Sequence, residues 1–476
     1  MIFFVKLLGL VVFPTALFAA SEDLTSLISA AQGAPAEFAA DSLLRIAGAQ
    51  PNPAPSLIEQ AYNRAGNSQI LYKRRSAVAR PDSPGTYWNR VYGQELDGLS
   101  LRLRAVDAML KVDASKAREM FEHIPPRHLS AVPCSEFLVY DTSHYYDTLA
   151  ALMKVVSDPG KLVSKYGLGI TLPVEAGPAA RVIAQANVPD EDFKSLVEQF
   201  SKQLARISGD DRSFTASFML GPEIQGLAAE CKRRGIVPMT LLESYRVYLV
   251  IHLSGPRCAD DDLMYAGGVA FGMNAPQPAE LSAVNPAVFF NNQLRMDPLQ
   301  PIQELEATAS RLEGVATGLR TCEDPECRAI QDQFHRLVFQ PGGGPYPAAT
   351  RQTPAWRAQF QEYLAALAAW KEDASSSSAE HYRLKARAYA DLLGLAPDGA
   401  LRDATLRAMV DYLARSRPHA ASPMEWFLPV DALIARLTLE GKDAAILRES
   451  KDPVIALYAN LERVAPRPAD RLMLLQ

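Results

Sequence analysis

Residues 190–209 read DEDFKSLVEQFSKQLARISG. Phe193, Leu196, Phe200 and Leu204 recur at helical spacing and share one face of an α-helix, which Gly209 ends. The same period extends outward in both directions. Leu99, Leu103, Val106 and Leu110 form a second stripe. Asp113 can cap a helix through ASKAREMFEHI that Pro125 and Pro126 stop. Ile224, Leu227, Ala228 and Cys231 share a face, as do Leu242, Tyr245, Leu249 and His252 or Leu253 on a helix expected from Met239 to Leu253. Alternating β-branched residues are nearly absent. Glu136–Tyr140 and Gly169–Leu172 are the best strand candidates, each too short to anchor a large sheet.

The C-terminal part repeats the pattern. A helix is predicted from Trp356 to Trp370, followed by a cap or hinge at Ser375–Ser378. Tyr382, Ala386, Tyr389 and Leu393 make the next face, ended by Gly394 and Pro397. Leu401, Leu406, Met409 and Leu413 make a third. Ser422, Pro423 and Glu425 read as a capping box with proline at the first helical position, and Asp452-Pro453 repeats the signal. Pro429 is expected to kink its helix or delay the regular part.

The predicted class is therefore all-α with little or no β-sheet. Two architectures satisfy it: an irregular, α-solenoid-like array of helical hairpins, or two helical bundles. KAREMFEHI has the character of the second helix of a tetratricopeptide repeat. The Trp, Leu-Gly and Tyr of that repeat's first helix do not precede it, and no copy recurs at a fixed interval, so no repeat family is assigned.

QPGGGPYPAATRQTPAW, residues 340–356, marks a boundary, because its prolines and glycines can hardly continue a helix. We place a linker at 341–354 between an N-terminal helical domain, 21–340, and a C-terminal one, 355–476. A long loop is expected at about 255–283, around GPRCADDD, Gly267-Gly268 and NAPQP.

The first 20 residues read as a signal peptide: Lys6, then an apolar run from Leu7, then the small residues Ala19 and Ala20. The run is interrupted by Pro14 and too short to span a bilayer, and no later segment reaches 18 apolar residues. The expectation is export to the periplasm or the cell exterior, with no transmembrane segment in the mature chain. Of 476 residues, 48% are hydrophobic and 22% charged, and the net charge is −5. Those are globular values. A mildly acidic chain without long Lys/Arg runs offers no footprint for nucleic acid or an anionic membrane.

An exported chain can oxidise its cysteines, and five is an odd number. Cys322 and Cys327 flank a helix start at Asp324-Pro325 and can form a local clip. Cys231 sits on an apolar helix face and reads as a buried thiol. If helices 222–235 and 239–253 run antiparallel, Cys258 lies roughly 25 Å from Cys231, counting 1.5 Å per residue, beyond disulfide reach. By elimination Cys134 pairs with Cys258.

The dinucleotide, P-loop, zinc-protease, nucleophile-elbow and EF-hand motifs are all missing. The densest polar cluster is CSEFLVYDTSHYYDTLAAL. Cys134, Asp141, His144, Tyr145, Tyr146 and Asp147 offer a Cys-His-Asp nucleophile set, or, through His144, Tyr145, Tyr146 and Asp147, an aromatic binding patch at a helix start. A simpler reading makes Asp141 or Ser143 the cap and Cys134 a disulfide. His123 and His128 lack a third metal ligand, and Asp260–Asp262 lack the spacing of a calcium loop. No cofactor and no metal is expected. The expected role is a non-catalytic scaffold or a module binding protein or peptide. The alternatives are a secreted hydrolase with a site near Cys134–Asp147, and a structural protein of the cell envelope.

Overall fold

A computed structural model describes residues 15–50, 54–77, 84–207, 211–215, 220–254, 257–258, 311–312, 325–341, 344–347, 349–372, 377–442 and 444–467. The expected loop at 255–283 and Asp260–Asp262 fall almost wholly outside them, as do Asp324 and the first fourteen residues.

The described residues are overwhelmingly helical, as the apolar periodicity requires. In chain order the N-terminal helices are α1 (Thr15–Gly33), α2 (Ala36–Ala49), α3 (Pro55–Ala65), α4 (Pro84–Gly93), α5 (Gly98–Leu110), α6 (Ala114–Glu122), α7 (Ser143–Met153), α8 (Pro159–Tyr166), α9 (Pro173–Ala184), α10 (Asp190–Leu204), α11 (Asp211–Thr215), α12 (Leu220–Arg233) and α13 (Met239–Ser254). Then follow α14 (Pro325–Val338), α15 (Pro354–Ala369), α16 (Ser378–Leu395), α17 (Ala400–Ser416), α18 (Pro423–Leu439), α19 (Ala445–Arg448) and α20 (Pro453–Val464). Among the described residues sheet is confined to two small pairs. β1 (Arg74–Ser76) runs antiparallel to β2 (Leu138–Tyr140), with Arg75 opposite Val139. β3 (Arg257–Cys258) runs parallel to β4 (Arg311–Leu312). Of the two strand candidates, Glu136–Tyr140 contains β2. Gly169–Leu172 is instead the lead-in to α9, where the Glu175 side chain ties down the Thr171 and Leu172 amides.

The caps explain most helix starts. Asp97 accepts from the Ser100 amide at 3.0 Å, Asp113 from Lys116 at 2.9 Å, and Asp452 from Val454 at 2.8 Å. At α18 the expected capping box is shifted by one residue. Ser422 accepts from the Glu425 amide at 3.1 Å, and Glu425 accepts from Ala421 rather than from Ser422. Pro429 does not end α18. Trp426, Phe427 and Val430 are buried on both sides of it, and their packing outweighs the missing backbone hydrogen bond.

Helices near one another in sequence pack: α2 on α3, α3 on α5, α5 on α6 and α7, α7 on α9, α9 on α12, α10 on α13. The predicted apolar faces turn inward: Phe193, Leu196, Phe200 and Leu204 are all enclosed, while Leu110 and Leu401 at the edges of theirs are partly buried. Around the expected linker, α14 packs on α15, the indole N–H of Trp356 donates to the Leu337 carbonyl at 3.0 Å, and Phe339 bridges to Pro345. Trp370 is buried just past the end of α15 rather than within it.

One long-range feature goes beyond hairpin stacking. α20 returns to pack on α1 and α2, and α18 packs on α4. Phe38 of α2 meets Phe427 at 5.1 Å, Trp426 at 5.9 Å and Tyr458 at 6.0 Å. Each ring buried this way contributes about 1.5–3 kcal/mol, so the two ends of the chain share one core. In an open solenoid each repeat touches only its neighbours. Here the last described helix packs on the first two described ones.

Candidate functional site

That closure leaves a cavity of about 780 Å³ between the two ends. Its walls come from α2, α4, α5, α18, α20 and the residues that follow α20. Leu96, Phe427 and Val464 supply apolar surface, and Gly48, Ala49 and Gly93 leave the wall open.

Polar groups meet there from distant parts of the sequence. Asp41 and Arg45 stand one turn apart on α2. Asp41 accepts from Arg104 Nη2 of α5 at 2.7 Å and from the Tyr458 hydroxyl of α20 at 2.7 Å. Arg45 Nη2 donates to Glu462 at 2.8 Å and to the Ala465 carbonyl at 2.9 Å. Arg467 donates from Nε to Glu462 at 3.0 Å and from Nη1 to Asp431 of α18. Arg90 of α4, exposed, completes the cationic wall.

Burial alone would push every one of these carboxyls up. At Asp41 the Arg104 and Arg45 guanidiniums and the Tyr458 hydrogen bond win, and its pKa falls below the usual range. At Glu462, Arg467 and Arg45 likewise overcome burial. At Asp431 burial prevails over Arg467 and its pKa rises. Burial lowers and the carboxylates raise the two arginines, with a net rise for Arg104 and Arg467.

The cluster holds more donors than the protein supplies acceptors. Arg45 Nε, Arg104 Nη1 and Arg467 Nη2 are buried without a hydrogen-bond partner. Gln94, also in the wall, donates to the Val91 and Met424 carbonyls, yet its own oxygen accepts nothing. Both carboxyls in the lining are held by guanidinium groups. That suits positioning and binding better than proton transfer or nucleophilic attack.

The patch read from the sequence does not converge in this way. His144 Nε2 lies 2.8 Å from Asp107 Oδ2, and Thr148 donates to the other Asp107 oxygen at 2.9 Å. Burial lowers the His144 pKa and Asp107 raises it, with a net rise. Tyr145 and Tyr146 are buried: Tyr145 donates to the Tyr166 carbonyl at 3.1 Å, and Tyr146 accepts from Arg127 at 3.1 Å. Asp147 is exposed on the opposite side of α7 from its buried neighbours. Cys134 is buried and disulfide-bonded, so it carries no thiolate. Cys327 is disulfide-bonded too. Cys231 is the buried free thiol, pushed up to about 11 by burial. His123 Nδ1 lies 2.7 Å from the Glu119 carbonyl at the end of α6. Among the described residues no group of three or more His, Cys, Asp or Glu is placed to hold a metal ion.

Sequence reasoning missed the cavity because its parts are separated by hundreds of residues. One local signal existed: AEFAADSLLRIAGA is an apolar helix that buries Asp41 and nearly buries Arg45 four positions on. A charged pair on a buried face needs partners from elsewhere. No protein-family model, no curated protein and no solved structure matches the chain.

Proposed function

We propose that the chain is an exported, non-catalytic helical binding protein whose ligand occupies the cavity closed by its two ends. The observation that carries this reading is the cavity itself, about 780 Å³ and walled by helices from the N-terminal and C-terminal parts of the described chain. Its size falls within the roughly 300–1,000 Å³ of small-molecule sites. Its carboxyls, Asp41 and Asp431, are each held by an arginine, an arrangement that orients a ligand rather than supplying a free nucleophile.

Export is supported by the apolar run from Leu7 to Ala20 and by the disulfide-bonded Cys134 and Cys327, in keeping with an oxidising compartment. We assign the bridges as Cys322–Cys327 and Cys134–Cys258. No described helix is long and apolar enough to cross a membrane.

The test is a titration with the fluorescent organic anion anilinonaphthalene sulfonate, on protein recovered from the exported fraction and sequenced from its N-terminus. A Cβ at Gly48 or Gly93 would meet open space, so Gly48→Phe and Gly93→Phe should plug the cavity without unfolding the chain. Expected are an N-terminus at Ser21, one saturable site, and its loss in both plugged variants at an unchanged melting temperature. Binding that survives both plugs sinks the cavity reading. A co-purifying protein, or stable self-association without a small-molecule site, turns the assignment to a peptide-binding scaffold or an envelope structural protein.

A further inference from the structure

The wall of this cavity is unusual in its charge. The whole chain carries a net −5. Yet the lining brings together four guanidiniums, Arg45, Arg90, Arg104 and Arg467, against two carboxyls, Asp41 and Asp431. Glu462, behind the wall, pairs with Arg45 and Arg467, yet Arg45 Nε, Arg104 Nη1 and Arg467 Nη2 keep donors that none of these carboxyls takes up. The side chains of Arg45, Arg104 and Arg467 are only 10%, 18% and 12% exposed. Charges so withdrawn from water are attracted to a counter-charge far more strongly than surface charges are. Three of the cluster's buried N–H edges also have no acceptor. Arginine is moreover the residue whose planar fork matches carboxylate and phosphate oxygens. Phe427, Leu96 and Val464 line the same space and bury hydrocarbon.

We propose that the ligand of this cavity is an amphiphilic organic anion, with a carboxylate or phosphate head held by the arginines and an apolar body against Phe427 and its neighbours. This rests on reading the cavity as the ligand site. It adds the sign of the ligand's charge and the residues that read it.

Calorimetric titrations with octanoate, octyl phosphate, octanol and octylammonium test it, on the full-length exported protein and three variants. Arg90→Ala removes an exposed cation and should leave the fold intact, as circular dichroism checks. Arg104→Lys keeps the charge opposite Asp41 but loses the fork. Gly48→Phe plugs the cavity. We expect octanoate or octyl phosphate to bind at least about tenfold more tightly than octanol, and octylammonium not to bind. That preference should shrink several-fold in Arg90→Ala and Arg104→Lys, and all binding should vanish in Gly48→Phe. The stronger of the two anions identifies the head group. Octanol or octylammonium binding as well as the anions, and lost in the plugged variant, overturns the anion inference while leaving the cavity reading intact. No binding by any of the four, or binding indifferent to the plug, overturns both.

Discussion

Two clusters in this protein use the same residue types to opposite ends. At the start of α9, Arg127 donates to Glu175 at 2.9 Å and to Tyr146 at 3.1 Å, and its guanidinium carbon sits 3.8 Å from the centre of the Tyr145 ring. Glu175 is fully enclosed, and its other oxygen accepts from Thr171 and Leu172. Neither side chain has a buried atom left without a partner. Between α2, α5 and α20, Asp41 joins Arg104 to Tyr458, again one carboxylate, one guanidinium and one phenol. Here the arginine keeps an unpaired N–H edge and a cavity lies beside it. A saturated buried network holds a fold together. The same groups left short of acceptors beside a void form a place to bind.

The largest effect separates the two at once. Glu175→Gln leaves Arg127 as an uncompensated buried charge and should cost about 3–5 kcal/mol. Asp431→Asn removes a carboxylate that burial already disfavours, beside a cavity that water can enter, and should cost about 1 kcal/mol or less. Urea midpoints at constant slope measure both. Equal costs would erase the distinction between the clusters.

Asp97 sharpens the contrast through pH. It caps α5, is fully buried, and has no arginine partner; burial pushes its carboxyl up to about 6 against the Ser100 hydrogen bonds. A folded pKa above the unfolded value means that its contribution is complete below about pH 4 and is lost as pH rises through about 6. Asp41 behaves oppositely: its folded pKa is depressed, so its contribution is present above about pH 4 and lost as pH falls below that. Asparagine also caps helices well. Asp97→Asn should therefore gain about 2 kcal/mol relative to the parent between pH 4 and pH 7. Denaturant melts across that range decide it, and a parallel pair of curves would refute the assignment.

The smallest effects come from the phenols. Tyr146→Phe and Tyr458→Phe should each cost about 1 kcal/mol at neutral pH. They should part on acidification. Losing the Tyr458 hydroxyl lets the Asp41 pKa rise toward its ordinary value, so less stability is lost to Asp41 protonation below about pH 4, and the acid limb becomes shallower in Tyr458→Phe alone.

The all-α class was legible because helical periodicity is a local property. Phe193, Leu196, Phe200 and Leu204, or Tyr382, Ala386, Tyr389 and Leu393, declare a buried face within about four turns of chain, and those faces are buried. Caps at Asp113, Ser422 and Asp452 were readable for the same reason, since a cap spans only three residues. Pro429 lies inside α18 rather than before it, because its cost is local while the packing of Trp426 and Phe427 that offsets it is not. The polar cluster at Cys134–Asp147 drew attention by density along the chain. In space Tyr145 and Tyr146 join Arg127, while His144 joins Asp107.

The sequence by itself thus determined the helices, their buried faces and most of their ends, all set by interactions within about a dozen residues. Only the tertiary structure decided that α20 returns to α1 and α2, and so that Asp41 meets Tyr458 across 417 positions. Period and propensity fix which face of a helix must be covered, but not which distant helix covers it. That choice belongs to the packing of Phe38 against Trp426, Phe427 and Tyr458, and the cavity with its arginines exists only once the choice is made.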